Sequence, residues 1–262
     1  MEFLSSIYNL AFFQPLLNGL ILLSNYMPNY DLGLAIISLT VIVRIILFPF
    51  SHHGAVTQIK MRELEPKIRE LREKFKDKKE EQAKQTMELY KSHGLNPFSG
   101  CVLAFVQIPI LIALWQVFVK SAALGNLPLY SFVVIPPEIQ TSFLGLVNLK
   151  EPSIILGVVA ALAQFVQMKL MAPKIEKTEK TEKTDAKPDF QQELSRAMSA
   201  QMTYVLPFII LFISFKFPAA VPLYWTTFSI FAIIHESRVR KSVQKIYGGE
   251  QNKNFKPDSG IS

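Results

Sequence analysis

The sequence predicts an all-α, polytopic membrane protein with five transmembrane helices. Half of its 262 residues are hydrophobic, yet 28 Lys and Arg and 21 Asp and Glu are present, so long apolar blocks must alternate with charged blocks. A spanning helix needs about 20 mostly apolar residues to cross roughly 30 Å of hydrocarbon, and several segments approach that length. Lys and Arg cluster beside these segments, which is typical of membrane orientation signals.

Three apolar segments predict the first three spans. The first, 32–50, contains one charged residue, Arg44. The second, 98–119, contains Pro109, where we expect a kink because proline removes a backbone donor. The third, 153–172, has Lys169 near its end and is followed by Pro173, which suits a helix end at the membrane interface.

The apolar stretch 197–234 is too long for one span. Lys216 and Pro218 divide it, because proline cannot continue a helix through its own position without losing a hydrogen bond. The sequence therefore predicts a tight hairpin of two further spans, 197–215 and 217–236.

Residues 1–31 are expected to lie outside the cytoplasm. Pro15 and several polar residues interrupt the apolar stretch 7–23, which favours a helix lying in the membrane interface, with a sixth span as the alternative. Glu2 in place of a basic n-region predicts that no signal peptide is cleaved. The expected buried face of the interfacial helix consists of Phe12, Phe13, Leu16, Leu17 and Leu20.

Lys and Arg counts predict the orientation, because short loops rich in these residues stay in the cytoplasm. Residues 52–97 carry 11, residues 173–200 carry six, and six follow Ser237. None precedes Arg44, and the loop 120–152 has two. All five spans therefore agree with an N-terminus outside and a C-terminus in the cytoplasm.

Residues 51–97 are predicted to form a cytoplasmic helical hairpin. A narrow apolar stripe at helical spacing precedes a turn at 77–79, and a second stripe follows it. The first stripe is Met61, Leu64, Ile68, Leu71 and Phe75, and the second is Ala83, Met87 and Tyr90.

Two further cytoplasmic segments are rich in charge. The Thr-Glu-Lys repeat within 173–196 predicts a disordered loop, because it offers almost no residue able to build a core. The basic tail 237–262 favours attraction to anionic lipids, with ribosomal RNA contact as the alternative.

Arg44 is the strongest candidate for a functional residue, because a charge inside a span costs several kcal/mol and usually faces protein or water. Snorkelling is the simpler interpretation, but Arg44 lies seven residues before Ser51, or roughly 10 Å of helix. No Asp or Glu lies well inside any predicted span. We therefore expect water, lipid or a transient partner beside Arg44, such as acidic groups on a passing chain.

Five other polar or amphipathic residues could share a wet cavity with Arg44 if the helices close around it. Each of them alone is more typical of ordinary packing or interhelical hydrogen bonding. The predicted substrate-binding groove therefore consists of Arg44, Thr40, Gln107, Gln164, Gln167 and Trp225.

Four stretches of the sequence resemble the YidC/Oxa/Albino family of membrane protein insertases, in order and spacing over most of residues 12–240. They are LTVIVRIILFPF (39–50), MRELEPKIRELREKFKD (61–77), MELYKSHGLNPFSGCVLAFVQIPILIALW (87–115) and PAAVPLYWTTFSIFAII (218–234). The resemblance implies a bacterial insertase and chaperone of the cytoplasmic membrane, not an enzyme, which inserts and helps fold integral membrane proteins.

The resemblance also implies a mechanism, with five helices enclosing a hydrophilic groove open to cytoplasm and lipid. The hairpin 51–97 would meet the substrate first, and Arg44, as the family's groove arginine, would hold acidic groups of its tail. The substrate helix would leave along the third and fifth spans. Nascent membrane proteins are the implied partners, with the Sec translocon, the ribosome and the signal recognition machinery as further candidates, and no cofactor is expected.

The beginning of the chain departs from both branches of that family. The larger Gram-negative members start with a signal anchor and a big periplasmic domain, and the Gram-positive members start with a lipoprotein signal. The start of this sequence resembles neither, so the type of cell envelope is left open.

Other function classes fit the residues less well. Ion-coupled transporters usually carry intramembrane carboxylates and repeated halves, and an intramembrane hydrolase needs a nucleophile with a base. A pure scaffold would not need Arg44. Metal binding is not predicted, because the four histidines, at positions 52, 53, 93 and 235, lie near cytoplasmic helix ends, where interfacial placement is commoner.

Overall fold

The computed structural model describes residues 2–76, 78–96, 99–120, 128–171 and 203–254, and most of them are helical. They belong to two compact units, one built from 1–48 and 103–233 and the other from 49–102 and 234–262. Helices α1 to α10 are, in chain order, Glu2–Tyr8, Gln14–Tyr26, Leu32–Ile46, Phe48–Glu63, Glu65–Lys74, Lys79–Ser92, Ser99–Lys120, Ile154–Met171, Thr203–Ser214 and Ala220–Asn254.

Helix α2 forms one side of the core of the first unit. Its apolar residues recur every three or four positions, so Leu17, Leu20 and Ile21 fall on one face, and this face is fully buried and packs against α3. Most of the face that we expected to lie in the membrane interface is therefore buried in protein, while Phe12 is half-buried at the edge of the core. The location of the helix relative to the membrane stays a prediction.

Helices α1 and α2 run on continuously through a π-helical turn at Asn9–Phe13. Among the described residues, Ser5–Tyr26 is the one unbroken helix long and apolar enough to cross a membrane. Helix α3 with Phe48–Met61 would make a second if the pair is counted as one broken span. Shorter apolar helices cover Gln107–Val117, Ile154–Leu170 and Thr203–Ser214, so the number of spans stays a prediction.

Helix α3 ends at Ile46, earlier than the predicted span 32–50. Leu47 leaves helical geometry, and α4 begins at Phe48 with Pro49 in its first turn. Proline has no N–H to bond the carbonyl four residues back and its ring crowds that carbonyl, so the helix cannot pass straight through this position. The predicted span 32–50 therefore contains a break in its helix at Leu47, and where the span ends stays a prediction.

A small β-hairpin lies between α7 and α8, which the all-α prediction did not include. Strand β1 (Ser142–Phe143) pairs antiparallel with β2 (Val147–Asn148). The turn between them places Leu144 and Gly145 at positive φ.

Asp31 ties this hairpin to the start of α3. Its carboxylate accepts hydrogen bonds from the backbone N–H of Gly33 at 2.7 Å and of Leu34 at 3.1 Å, which caps the helix. The other oxygen accepts from the backbone N–H of Leu144 at 2.7 Å. A Cβ on Gly33 would lie 2.2 Å from the ring of Phe143, so glycine is required at this close approach.

The predicted break at Lys216 and Pro218 is present as a turn between α9 and α10. Helix α10 then continues to Asn254, far beyond the predicted end of the last span at 236, so the first part of the predicted tail 237–262 is helical. The predicted disordered loop 173–196 lies outside the described residues.

In the second unit, α5 and α6 pack on each other as a helical hairpin. Leu64 and Ile68 of the first predicted stripe are buried together with Leu95. Of the second predicted stripe, Tyr90 packs against this cluster, whereas Ala83 and Met87 are exposed. The inward face of α6 carries buried Gln82 and half-buried Leu89 in their place. A pattern of apolar residues could not identify Gln82 as buried, because glutamine is polar.

Candidate functional site

Arg44 lies in the last turn of α3, in the first unit. Only 6% of its surface is exposed, which is unusual for arginine. The side chain is held there because α3 also carries the core residues Leu32, Ile36 and Leu39 on its buried face, and Arg44 continues that face towards the end of the helix.

The guanidinium of Arg44 lies over aromatic rings of α10. Its Cζ atom is 4.0 Å from the ring centroid of Phe228 and 5.3 Å from that of Phe231. Both distances are within the range of a cation–π interaction. We expected water, lipid or a transient partner beside Arg44, and the structure adds these two protein rings.

A cleft adjoins Arg44 and has about 310 Å³ of space, part of it open to the surroundings. Seven of its eleven lining residues are apolar, whereas the family resemblance implied a hydrophilic groove. Three of the six predicted site residues line it, namely Arg44, Thr40 and Gln107. The other lining residues are Leu16, Leu39, Val43, Leu47, Ile110, Leu114, Tyr224 and Phe228.

The polar groups of the cleft make hydrogen bonds within the protein. The Thr40 hydroxyl donates to the backbone oxygen of Ile36 at 2.6 Å, one turn back on α3. The Gln107 amide on α7 donates to the Tyr224 hydroxyl on α10. This second bond joins two helices across the cleft.

The remaining predicted site residues do not line this cleft. Gln164 on α8 is buried, and its side-chain oxygen accepts from Trp225 Nε1 at 2.8 Å and from Ser229 Oγ at 3.1 Å. Gln167, also on α8, is buried. The single cavity predicted for all six residues is therefore divided into a cleft around Arg44 and a hydrogen-bonded cluster around Gln164.

The arrangement around Arg44 has the chemistry to bind an anionic group. A guanidinium in apolar surroundings attracts a carboxylate more strongly than it would in water, because the dielectric screening is weaker. Among the described residues, no group of three His, Cys, Asp or Glu is placed to hold a metal ion. In the second unit, His52 Nδ1 and His235 Nε2 lie 3.4 Å apart.

Sequence reasoning missed the aromatic residues that surround the guanidinium. Tyr224, Phe228 and Phe231 recur at spacings of four and three residues, so they share one face of α10. That spacing was a usable signal, but a stripe of aromatic residues in a membrane helix is more often ordinary packing. Only the position of α3 beside this face identifies the partner.

Comparison with known proteins gives consistent matches. Residues 22–246 match the sequence model of the family described as 60Kd inner membrane protein. Proteins named "Membrane protein insertase YidC" from Geotalea daltonii and Geobacter metallireducens are each 29% identical, over 89% and 88% of this chain. The protein of that name from Helicobacter pylori is 29% identical over 86% of the chain. The chain spans 38%, 37% and 36% of the length of these three relatives, respectively.

Proposed function

The chain belongs to the 60Kd inner membrane protein family of YidC-type insertases, and from this premise we propose that it inserts integral membrane proteins into the bacterial inner membrane and helps them fold. The family is one of insertases and not of enzymes. Nascent membrane proteins are accordingly the proposed substrates of this chain.

The observation that carries the proposed mechanism is the burial of Arg44 beside an open cleft. A cation buried among mostly apolar side chains is costly, so its retention is best explained by a task that needs the charge. In our proposal, Arg44 attracts acidic groups in the polar tail of an incoming chain and holds them while the hydrophobic segment enters the membrane. Thr40, Gln107 and Tyr224 supply the other polar surface of the cleft.

The size of the cleft limits what it holds at one time. The space beside Arg44, part of which is open to the surroundings, is too narrow for a helix, whose diameter with side chains is about 10–12 Å. We therefore propose that Arg44 receives single acidic residues of the tail in turn, and that the substrate helix moves along the surfaces of α8 and α10 towards lipid. Many α8 side chains, such as Ile155 and Leu162, are exposed and apolar, as a lipid-facing surface requires.

The driving force in this proposal is transfer of the substrate helix from water to hydrocarbon. Full burial of each large apolar side chain contributes about 1.5–3 kcal/mol. The transfer free energy of a segment of about 20 such residues therefore greatly exceeds the cost of moving a short polar tail across the membrane. The insertase only lowers the barrier for the tail. Operation alone or beside the Sec translocon is compatible with this mechanism, as are contacts with the ribosome, the signal recognition machinery and anionic lipids.

Insertion assays with matched substrates test the role of Arg44. A single-span protein with an acidic N-terminal tail and a copy with a neutral polar tail would be added to proteoliposomes, and insertion measured as protection from protease. We expect Arg44→Ala to reduce insertion of the acidic substrate by about 10- to 100-fold, the value of a charge-assisted hydrogen bond, and to affect the neutral substrate much less. Arg44→Lys should retain most of the activity.

The two parts of the proposal fail differently in this assay. If wild type inserts both substrates and Arg44→Ala does so equally well, the proposed role of Arg44 is wrong. If wild type in folded form inserts neither substrate, the insertase function itself is contradicted.

The proposed topology has five spans with the N-terminus outside, and α1 and α2 as an interfacial element. A cysteine at Phe3, which is 77% exposed, tests it in a background where Cys101 is replaced by Ser. In intact cells or right-side-out vesicles, this cysteine should react with a membrane-impermeant maleimide from the outside. Labelling only after the membrane is opened would show that Ser5–Tyr26 is a sixth span.

A further inference from the structure

The connection between α7 and α8 displays large apolar side chains at the surface of the first unit. Phe132 and Val134 precede the β-hairpin, Leu144 and Leu146 form its tip, and all four are between 59% and 83% exposed. Contact of such side chains with water is unfavourable, and exposed apolar groups gathered on one segment usually mark a contact with another protein or with lipid.

Hydrogen bonds to α2 hold the first of these two groups at the surface. Buried Asn18 accepts from the backbone N–H of Tyr130 at 2.7 Å, and Asn25, later on the same helix, donates to the backbone oxygen of Val134 at 2.7 Å. Between these two points, Val133 is buried in the core. The side chains next to Val133 therefore cannot turn inwards without breaking these bonds.

The tip of the hairpin carries a leucine where the backbone favours other residues. Leu144 has a φ of 50°, in the left-handed region that glycine and asparagine adopt most easily. The carboxylate of Asp31 fixes this conformation by accepting from the backbone N–H of Leu144 at 2.7 Å. A leucine in so unfavourable a position is explained if the apolar side chain itself is needed at the tip.

The hairpin lies at the end of the first unit where three apolar helices begin. The backbone N–H of Leu32, the first residue of α3, donates to the backbone oxygen of Gln140 at 2.9 Å, and that of Ala220, the first residue of α10, donates to Leu149 at 3.2 Å. Helix α8 follows the hairpin directly, from Ile154. In a membrane protein, the ends of apolar helices lie where the hydrocarbon meets the lipid headgroups. This position favours lipid as the partner of the exposed side chains.

We propose that the connection 128–150 is a membrane anchor that inserts Phe132, Val134, Leu144 and Leu146 among the lipid chains of the adjoining leaflet. This is the outer leaflet in the proposed topology. The inference rests on the membership of the chain in an inner-membrane protein family and goes beyond the proposed function, because no substrate takes part in the contact.

The anchor is shallow, because irregular backbone does not enter hydrocarbon, where its N–H and C=O groups would lose their hydrogen bonds. The exposed Glu138 and Lys150 on the same connection also require water or headgroups. The apolar side chains therefore reach the upper part of the lipid chains while the backbone stays at the level of the headgroups, as in other interfacial elements.

Fluorescence quenching at known depth tests the anchor. Val134→Cys and Leu146→Cys would be made separately in the full chain with Cys101→Ser, labelled with a small polarity-sensitive dye and reconstituted into proteoliposomes. We expect blue-shifted emission and a strong loss of fluorescence with phospholipids brominated close to the headgroup. The loss should be weaker with phospholipids brominated at the chain ends, and iodide in the water should have little effect.

Two labelled positions serve as references. Glu138→Cys, an exposed site on the same connection, should be quenched by iodide and not by brominated lipids, and Ile155→Cys on α8 should be quenched by brominated lipids. The inference is overturned if the dye at position 134 or 146 behaves like that at 138. Quenching by lipid at 155 alone would leave the proposed lipid-facing surface of α8 standing and overturn only the anchor.

Discussion

Two neighbouring faces of α10 give the polar side chains of adjacent helices different surroundings. On one face, Phe228 and Phe231 lie against the cation of Arg44, and a cleft opens beside it. On the other face, Trp225 and Ser229 donate to the same oxygen of buried Gln164. The first arrangement keeps a charge in apolar surroundings, and the second closes a hydrogen-bond network between α8 and α10.

This contrast indicates which polar residues of a membrane helix have a structural role. A network whose donors and acceptors meet each other stabilises helix packing and should matter equally for every substrate. A charge held against aromatic rings beside a cleft should matter mainly for substrates of opposite charge. Variants of the two faces therefore should separate into those that change stability and those that change selectivity.

The largest effect on stability is expected from Gln164→Met. Methionine fills a similar volume but offers no oxygen, so the Trp225 N–H loses its acceptor in a buried place. We expect the free energy of unfolding in mixed detergent micelles to fall by about 2–3 kcal/mol. Insertion of acidic and neutral substrates should decline in parallel.

A double-mutant cycle with Trp225→Phe checks the cause of this loss. Phenylalanine has no N–H to leave unbonded, so the double variant should lose less stability than the sum of the two single variants. Strictly additive losses would show that the hydrogen bond is not the stabilising feature.

Gly157→Ala should have the next largest effect on stability. Gly157 lies on α8, seven residues before Gln164, where α8 packs against α9. A Cβ at Gly157 would lie 2.5 Å from the Cβ of Ser214 on α9, which forces the helices apart. We expect a loss of about 1–3 kcal/mol in the same unfolding measurement, as for other overpacked sites. Adding Ser214→Gly should restore part of the lost stability. No rescue would contradict the close approach of α8 and α9.

Tyr224→Phe, on the face of α10 that lies towards Arg44, should have the smallest effect on stability. It removes the hydroxyl that accepts from Gln107 and retains the ring. We expect a loss of about 1 kcal/mol or less, because single interhelical hydrogen bonds in membranes are weak. A loss as large as that of Gln164→Met would remove the distinction between the two faces.

Hydropathy located α7 and α8 well, because a long apolar segment is recognisable from its composition. Helices α7 and α8 occupy nearly the positions of the predicted segments 98–119 and 153–172. The β-hairpin at 142–148 escaped prediction, since its turn holds Leu144 and Gly145 in place of the Asn-Gly signal, and it is held partly by the distant Asp31.

The candidate site was predictable in part. Arg44 could be found from the sequence, since a lone charge in an apolar segment is conspicuous. Its partners on α10 could not, because one face of a helix carries Phe228 and the next carries Trp225, and only the packing of neighbouring helices decides which face meets Arg44. For the same reason, the sequence could not separate Gln164, which accepts from Trp225 and Ser229, from the residues that line the cleft.

Photocrosslinking tests most directly the claim that acidic tails bind beside Arg44. A photoreactive amino acid would replace Leu47, which lines the cleft, and in a separate variant Phe212, an exposed residue of α9. We predict that an acidic tail crosslinks at position 47 more than a neutral tail does, that Arg44→Gln abolishes this difference, and that position 212 shows no preference. Equal crosslinking of both tails at position 47, with or without Arg44, would contradict the account.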